Sequence, residues 1–124
     1  MDAQTDPIEK LKAYISTAFI GPEENKKFYR VYLDFLAQGS RDPRYRAINT
    51  VFYENCWSLG RGIVEAGCQA GIFHIADIDD AAVTIRASID GNLIQWLMRD
   101  DMGLHTYYRD LCYQAILRYL TGTE

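Results

Sequence analysis

The chain is predicted to be an all-α domain of about five helices, and three observations predict it. Apolar residues recur at three- and four-residue spacing along successive stretches, most of these stretches open on a helix-capping residue, and no segment sustains the alternation of a strand. With 124 residues, 48% of them apolar, the chain can enclose one core, so residues 1–124 are read as a single domain.

The first helix starts at Asp6, an N-cap residue, with Pro7 at the first helical position and Glu9 placed for a capping box. Ile8, Leu11, Ile15 and Phe19 follow at helical spacing, and Gly21-Pro22 ends the run. The second helix runs from about Glu24 to Gln38 and stops at Gly39. Its spacing places Phe28, Val31, Tyr32 and Phe35 on one face, Tyr29, Leu33 and Leu36 beside them, and Lys26, Lys27, Arg30 and Asp34 in solvent. The third begins at Asp42-Pro43 and keeps its period to about Ala70. It carries one stripe through Tyr45, Ile48, Phe52, Cys56, Leu59 and Ile63 and another through Tyr53, Trp57, Gly60 and Val64, so it should be covered on two sides. Gly71 has the character of a residue just past a helix end, and "GIFHIA" reads as an irregular connector.

Asp77 caps the fourth helix, and Asp79 and Asp80 favour its positive end. This helix extends to about Met98 over a core stripe of Ile78, Ala82, Ile85, Ile89, Leu93 and Trp96. A fifth helix covers roughly Leu104 to Leu120, after the turn-like "RDDMG".

Composition narrows the function. Lys and Arg number 13 against 17 Asp and Glu, a net charge of -4, so these residues are not expected to contact nucleic acid themselves. Cys56, Cys68 and Cys112 are odd in number and show no CxxC spacing, which suggests neither a disulfide framework nor zinc, and a reducing cytoplasm is the simplest location. The N-terminal "MDAQTDPIEK" lacks the pattern of a leader, and no run is apolar enough to cross a membrane. His74 and His105 stand in or beside connectors with no second ligand at helical spacing, so both are predicted at the surface and no metal is expected. No phosphate loop and no activated nucleophile is recognisable, so neither a cofactor nor a catalytic residue is assigned.

Two features suggest partners instead. The fourth helix carries a strip of Thr84, Ser88, Gly91 and Gln95 away from its core stripe, and Gly91 costs about 1 kcal/mol relative to Ala unless close packing repays it. The fifth has one apolar arc through Tyr108, Cys112, Ile116 and Tyr119 and another through Tyr113, Leu117 and Leu120, more than one small subunit can hide. A homodimer follows, its last two helices meeting their copies as a four-helix bundle. The seam would include Ser88, Gly91, Asn92, Gln95, Tyr113, Leu117 and Leu120, with Asp90 and Asn92 fixing register near it. The second feature is aromatic: Phe28, Tyr32, Phe35, Phe52, Tyr53 and Trp57 concentrate on helices two and three, where Tyr and Trp suit the wall of a small-molecule cavity. Arg61 and Arg86 are the candidate groups for a polar end of the ligand.

Three segments, "DPIEKLKAYI", "DPRYRAINTVFYENCWSLGRGIVEAGCQAGIF" and "DIDDAAVTIRASIDGNLIQWLM", together resemble the C-terminal half of TetR-type transcriptional repressors, in particular the BetI-like branch. "SIDGNLIQWL" and "EAGCQAGIF" carry most of the likeness, with Asn92 standing where the family pattern has Leu. The resemblance implies a homodimer paired through the last two helices and an effector pocket among the others. It also implies DNA binding by an N-terminal helix-turn-helix that these 124 residues do not carry. It leans toward a cationic effector held on Tyr and Trp faces near Glu54, but the effector's identity stays open. The alternative function is a small helical enzyme or a stand-alone binding protein using the same cavity.

Overall fold

Three of the α-helices start at capping aspartates that the sequence offers. The computed structural model describes residues 6–122, and the N-terminal start at 1–5 lies outside them. Asp6 accepts the Ile8 amide at 2.9 Å and opens α1 (Pro7–Ala18), while Asp42 accepts the Arg44 amide at 2.9 Å and opens α3 (Pro43–Gln69). Between them, α2 (Pro22–Gly39) has no side-chain cap and relies on Pro22 at its first turn. Asp77 accepts the Asp80 amide at 3.1 Å and opens α4 (Ile78–Arg99). A 3-10 turn (Met102–Leu104) then leads into α5 (His105–Thr121). No strand occurs among the described residues, and no helix there is long and apolar enough to cross a membrane.

The end of α3 explains the "EAGCQAGIF" stretch. Gly71 adopts a left-handed φ of 77°, its amide bonds the Cys68 carbonyl, and the Ile72 amide bonds the Gly67 carbonyl at 2.9 Å, which is a Schellman closure. The reversed chain drops Phe73 into the core against Gly67, where an added Cβ would stand 1.9 Å from the ring. The connector is then tied to the far end of α5, because the His74 amide donates to the Leu120 carbonyl at 2.8 Å.

α4 is the central helix, packing against α3, α5 and α2. Its expected stripe is buried almost throughout, with Ile85, Ile89 and Leu93 fully enclosed, and Leu11 and Ile15 of α1 and Ile116 and Leu120 of α5 complete the core.

α2 turns inward a different face from the one its periodicity suggests, and α3 and α5 each bury one of their two expected stripes most fully. In α2 the inward line is Asn25, Tyr29 and Tyr32, whereas Val31 is 71% exposed and Phe28 half exposed. In α3 the stripe through Gly60 and Val64 faces α4, while Phe52 and Ile63 of the other stripe pack against the core and Ile48 and Leu59 are exposed, so α1, α2 and α4 together cover part of both stripes. In α5, Tyr108, Cys112, Ile116 and Leu120 form the buried line. Leu120, expected at a subunit seam, is fully enclosed in its own subunit and cannot reach a partner. Tyr113 and Leu117 pack against the core's edge, and the apolar side chains left outside are Tyr107, Leu111 and Tyr119. Two further expectations fail: His105 is buried rather than superficial, and Asp90 faces inward between helices rather than outward.

Candidate functional site

A helix whose core stripe is wide must carry polar residues on the flanks of that stripe, and on α4 these are Arg86 and Asp90. One turn apart, both are buried at 8% exposure and pair at 3.0 Å between Arg86 Nη2 and Asp90 Oδ1. Neighbouring helices complete the cluster. Tyr29 of α2 donates its hydroxyl to Asp90 Oδ1 at 2.7 Å, and Tyr53 of α3 donates to Oδ2 at 3.3 Å. Arg86 Nη2 also reaches the Tyr29 hydroxyl at 3.4 Å, Nη1 reaches Cys56 Sγ at 3.5 Å, and the guanidinium lies over the Phe52 ring at 5.8 Å. Tyr14 of α1 joins from the side by donating to the Cys56 carbonyl at 3.1 Å. Arg86 Nε is buried without a hydrogen-bond partner.

Electrostatics fix the protonation states. Burial works against the charge on Arg86, but the adjacent Asp90 carboxylate outweighs it and holds the guanidinium protonated beyond its ordinary range. Burial and then the Asp90 charge push Tyr29 well above the usual phenol value, so it serves as a donor. Burial and then the neighbouring Tyr53 raise Tyr32 as well, and it donates to Asn49 Oδ1 at 3.1 Å. Burial also pushes the Cys112 thiol up to about 11, which leaves it no nucleophile at neutral pH.

Arg86 lies in the walls of two cavities. The larger, about 350 Å³, opens between α1, α2, α3 and α4 and is lined by Ile20, Asn25, Phe28, Tyr29 and Phe52 as well as Arg86. The smaller, about 120 Å³, lies against Tyr53, Trp57, Val83, Ala87 and Asp90. Tyr53 and Trp57 stack there with ring centres 5.6 Å apart.

Of the expected ligand residues, Phe28 and Arg86 therefore meet in the larger cleft, and Tyr53 and Trp57 meet Arg86 in the smaller one. Tyr32 is buried behind the cleft wall, its ring against Phe28, Tyr29 and Phe52, and reaches with Phe35 the floor of an outer groove of α2, where Phe35 contacts Tyr45. Arg61 is on the surface, paired with Asp79 at 2.6 Å, and lines neither cavity. Glu54 is exposed and lines neither. On the outer side of α4, nothing of the subunit lies within 4 Å of a Cβ added at Gly91. Ser88 and Asn92 lie half-buried, with Asn92 Nδ2 donating to the Ser88 carbonyl at 2.7 Å, and Gln95 is exposed.

Sequence reasoning missed Tyr29, Asn25 and Tyr14, and it misplaced Asp90. The available signal was the four-residue spacing of Arg86 and Asp90 beside an uninterrupted apolar stripe, which makes a buried pair more economical than two separate surface charges.

The model for the C-terminal domain of BetI-type transcriptional repressors matches residues 7–121. The chain belongs to this family. No curated protein and no solved structure matches it. The match runs from the first residue of α1 to the last of α5, so both cavities and the outer faces of α4 and α5 lie within the BetI-type domain. Both stretches that carried the resemblance have a structural role in it: one closes α3 around Phe73, and the other contains Asp90 and the open Gly91 face.

Proposed function

We propose that the chain is the effector-sensing and dimerisation domain of a transcriptional repressor, which binds a small molecule in the cleft beside Arg86 and passes the event to a DNA-reading domain elsewhere in the full-length protein. The observation that carries this reading is the cleft: about 350 Å³ between four helices, walled by aromatic rings and a buried cation, inside a BetI-type domain. Phe28, Phe52, Tyr29 and Arg86 would contact the effector, with Tyr53 and Trp57 behind them. Arg61, Tyr32 and Phe35 are not part of this assignment because they do not line the cleft.

Support for a homodimer comes from the outer sides of the last two helices. Val83 and Met98 of α4 and Tyr107, Leu111 and Tyr119 of α5 are exposed by 41% or more, and the Gly91 position between them is open. Pairing of these faces with a second copy would hide them, with Ser88, Asn92 and Gln95 at the margin. The protein would act in the cytoplasm, with no resident cofactor and no chemistry of its own. Two measurements test the reading together: light scattering should give twice the subunit mass, and a thermal-shift screen of small molecules should find compounds that raise the melting temperature. A monomer at every concentration, together with a blank screen, would remove both halves.

A further inference from the structure

The hydrogen-bond inventory of the cleft restricts what it can hold. Asp90 has both oxygens occupied, by Arg86 and Tyr29 on one and by Tyr53 on the other. Asn25 is likewise committed: its Nδ2 donates to the Ala18 carbonyl at 3.0 Å, and its Oδ1 faces His105 Nε2 at 2.7 Å and the Gly21 amide at 3.4 Å. Thr17 gives its hydroxyl proton to the Ala13 carbonyl. Glu24, the acidic residue in the lining, is exposed to solvent.

The unspent capacity is on the donor side. A guanidinium has five N–H groups, and here Nη2 serves Asp90 and Tyr29, Nη1 reaches the weakly accepting Cys56 sulfur with the Tyr14 hydroxyl also beside the guanidinium, and Nε serves nothing. The side chain that holds these donors is nine-tenths buried and lines the cleft between Phe28 and Phe52, whose ring centres are 6.4 Å apart.

Resting on the effector-sensing reading, we propose that the ligand is a monocarboxylate with a flat apolar body. Its carboxylate accepts from the spare N–H groups of Arg86, and its ring lies against Phe28 and Phe52. Arg86 keeps its bond to Asp90, so no buried charge is left alone. A cation finds no equivalent place, because Asp90 is already neutralised and the aromatic faces stand next to a fixed positive charge.

The test uses the whole chain and four probes of similar size: benzoate, phenylacetate, benzyl alcohol and benzyltrimethylammonium. Calorimetry should show the two carboxylates binding at least about tenfold more tightly than the other two, the scale of a charge-assisted hydrogen bond. The Arg86 Nε–H resonance should shift when benzoate is added to the unaltered protein. Arg86→Lys, which keeps the pairing charge, should weaken benzoate about tenfold with the helical circular dichroism unchanged, and Phe52→Leu should weaken it without altering charge. Tighter binding of the ammonium or alcohol probe, or an unmoved Arg86 resonance in the benzoate complex, overturns the carboxylate assignment and leaves the sensing reading standing. Silence from all four probes also overturns the assignment, whereas the sensing reading falls only with a blank wider screen.

Discussion

Arg86 and Asp90 show how the value of a residue depends on what remains when it is removed. Their attraction is offset by the cost of taking two charges out of water, so the pair adds little net stability, but either charge alone in that position is unfavourable. Asp90→Leu should therefore destabilise the fold by about 3–5 kcal/mol, and the double change Arg86→Met with Asp90→Leu should recover most of that loss, both read from urea unfolding. A second residue-scale prediction concerns Gly67. With the Phe73 ring where a methyl would go, Gly67→Ala should cost about 1–3 kcal/mol by overpacking, whereas Gly62→Ala on the same helix, with nothing within 4 Å, should be neutral or slightly stabilising. At this scale the sequence was a good guide to caps and chain reversals, since Asp6, Asp42, Asp77 and Gly71 act through their own backbone neighbourhood. It was a poor guide to Asp90, whose partners Tyr29 and Tyr53 lie 61 and 37 positions away.

Helices were legible as helices because each carries a strong period, yet the face each one buries is a property of its neighbours. α4 was read correctly because it is enclosed by three other helices and its stripe is purely aliphatic around Ile85, Ile89 and Leu93. α2 was misread because its aromatic residues occupy most of its circumference, so the period alone could not separate inward Tyr29 from outward Val31. The start of α5 was misread for a related reason: a histidine next to a turn suggests solvent, but the 3-10 turn folds His105 inward, between Phe19 and Trp96 and onto Asn25. This arrangement has a measurable consequence. Burial, followed by the nearby Arg109 charge, lowers the pKa of His105 below its ordinary 6.5, with Glu24 opposing. The unfolded chain then takes up its proton at higher pH than the folded one, so the contribution is complete above about pH 6.5 and is lost as the pH falls below it. Urea midpoints at about pH 7.5 and about pH 5 should differ more for the native chain than for His105→Gln, and equal differences would show that His105 does not couple to folding.

At the scale of the molecule, the apolar side chains that α5 leaves exposed are Tyr107, Leu111 and Tyr119 rather than Tyr113, Leu117 and Leu120, and α2 and α3 also expose Val31, Ile48, Val51 and Leu59. Because a side chain at Gly91 meets nothing of its own subunit, Gly91→Leu should leave the subunit folded while abolishing the dimer, seen as halved mass in sedimentation with unchanged helical signal. A dimer that survives this change would place the seam elsewhere. α4 carries the Arg86 wall of the cleft on one side and the Gly91 strip on another, within a single rigid rod of 22 residues. On the proposed reading this imposes a constraint on mutagenesis: substitutions that widen the compartment at α4 fall on the same rod that carries the proposed pairing face. Diversity is more safely introduced from α1, α2 and the turn between them, at Thr17, Phe28 and Ile20, where the opposite wall can change while α4 is left untouched.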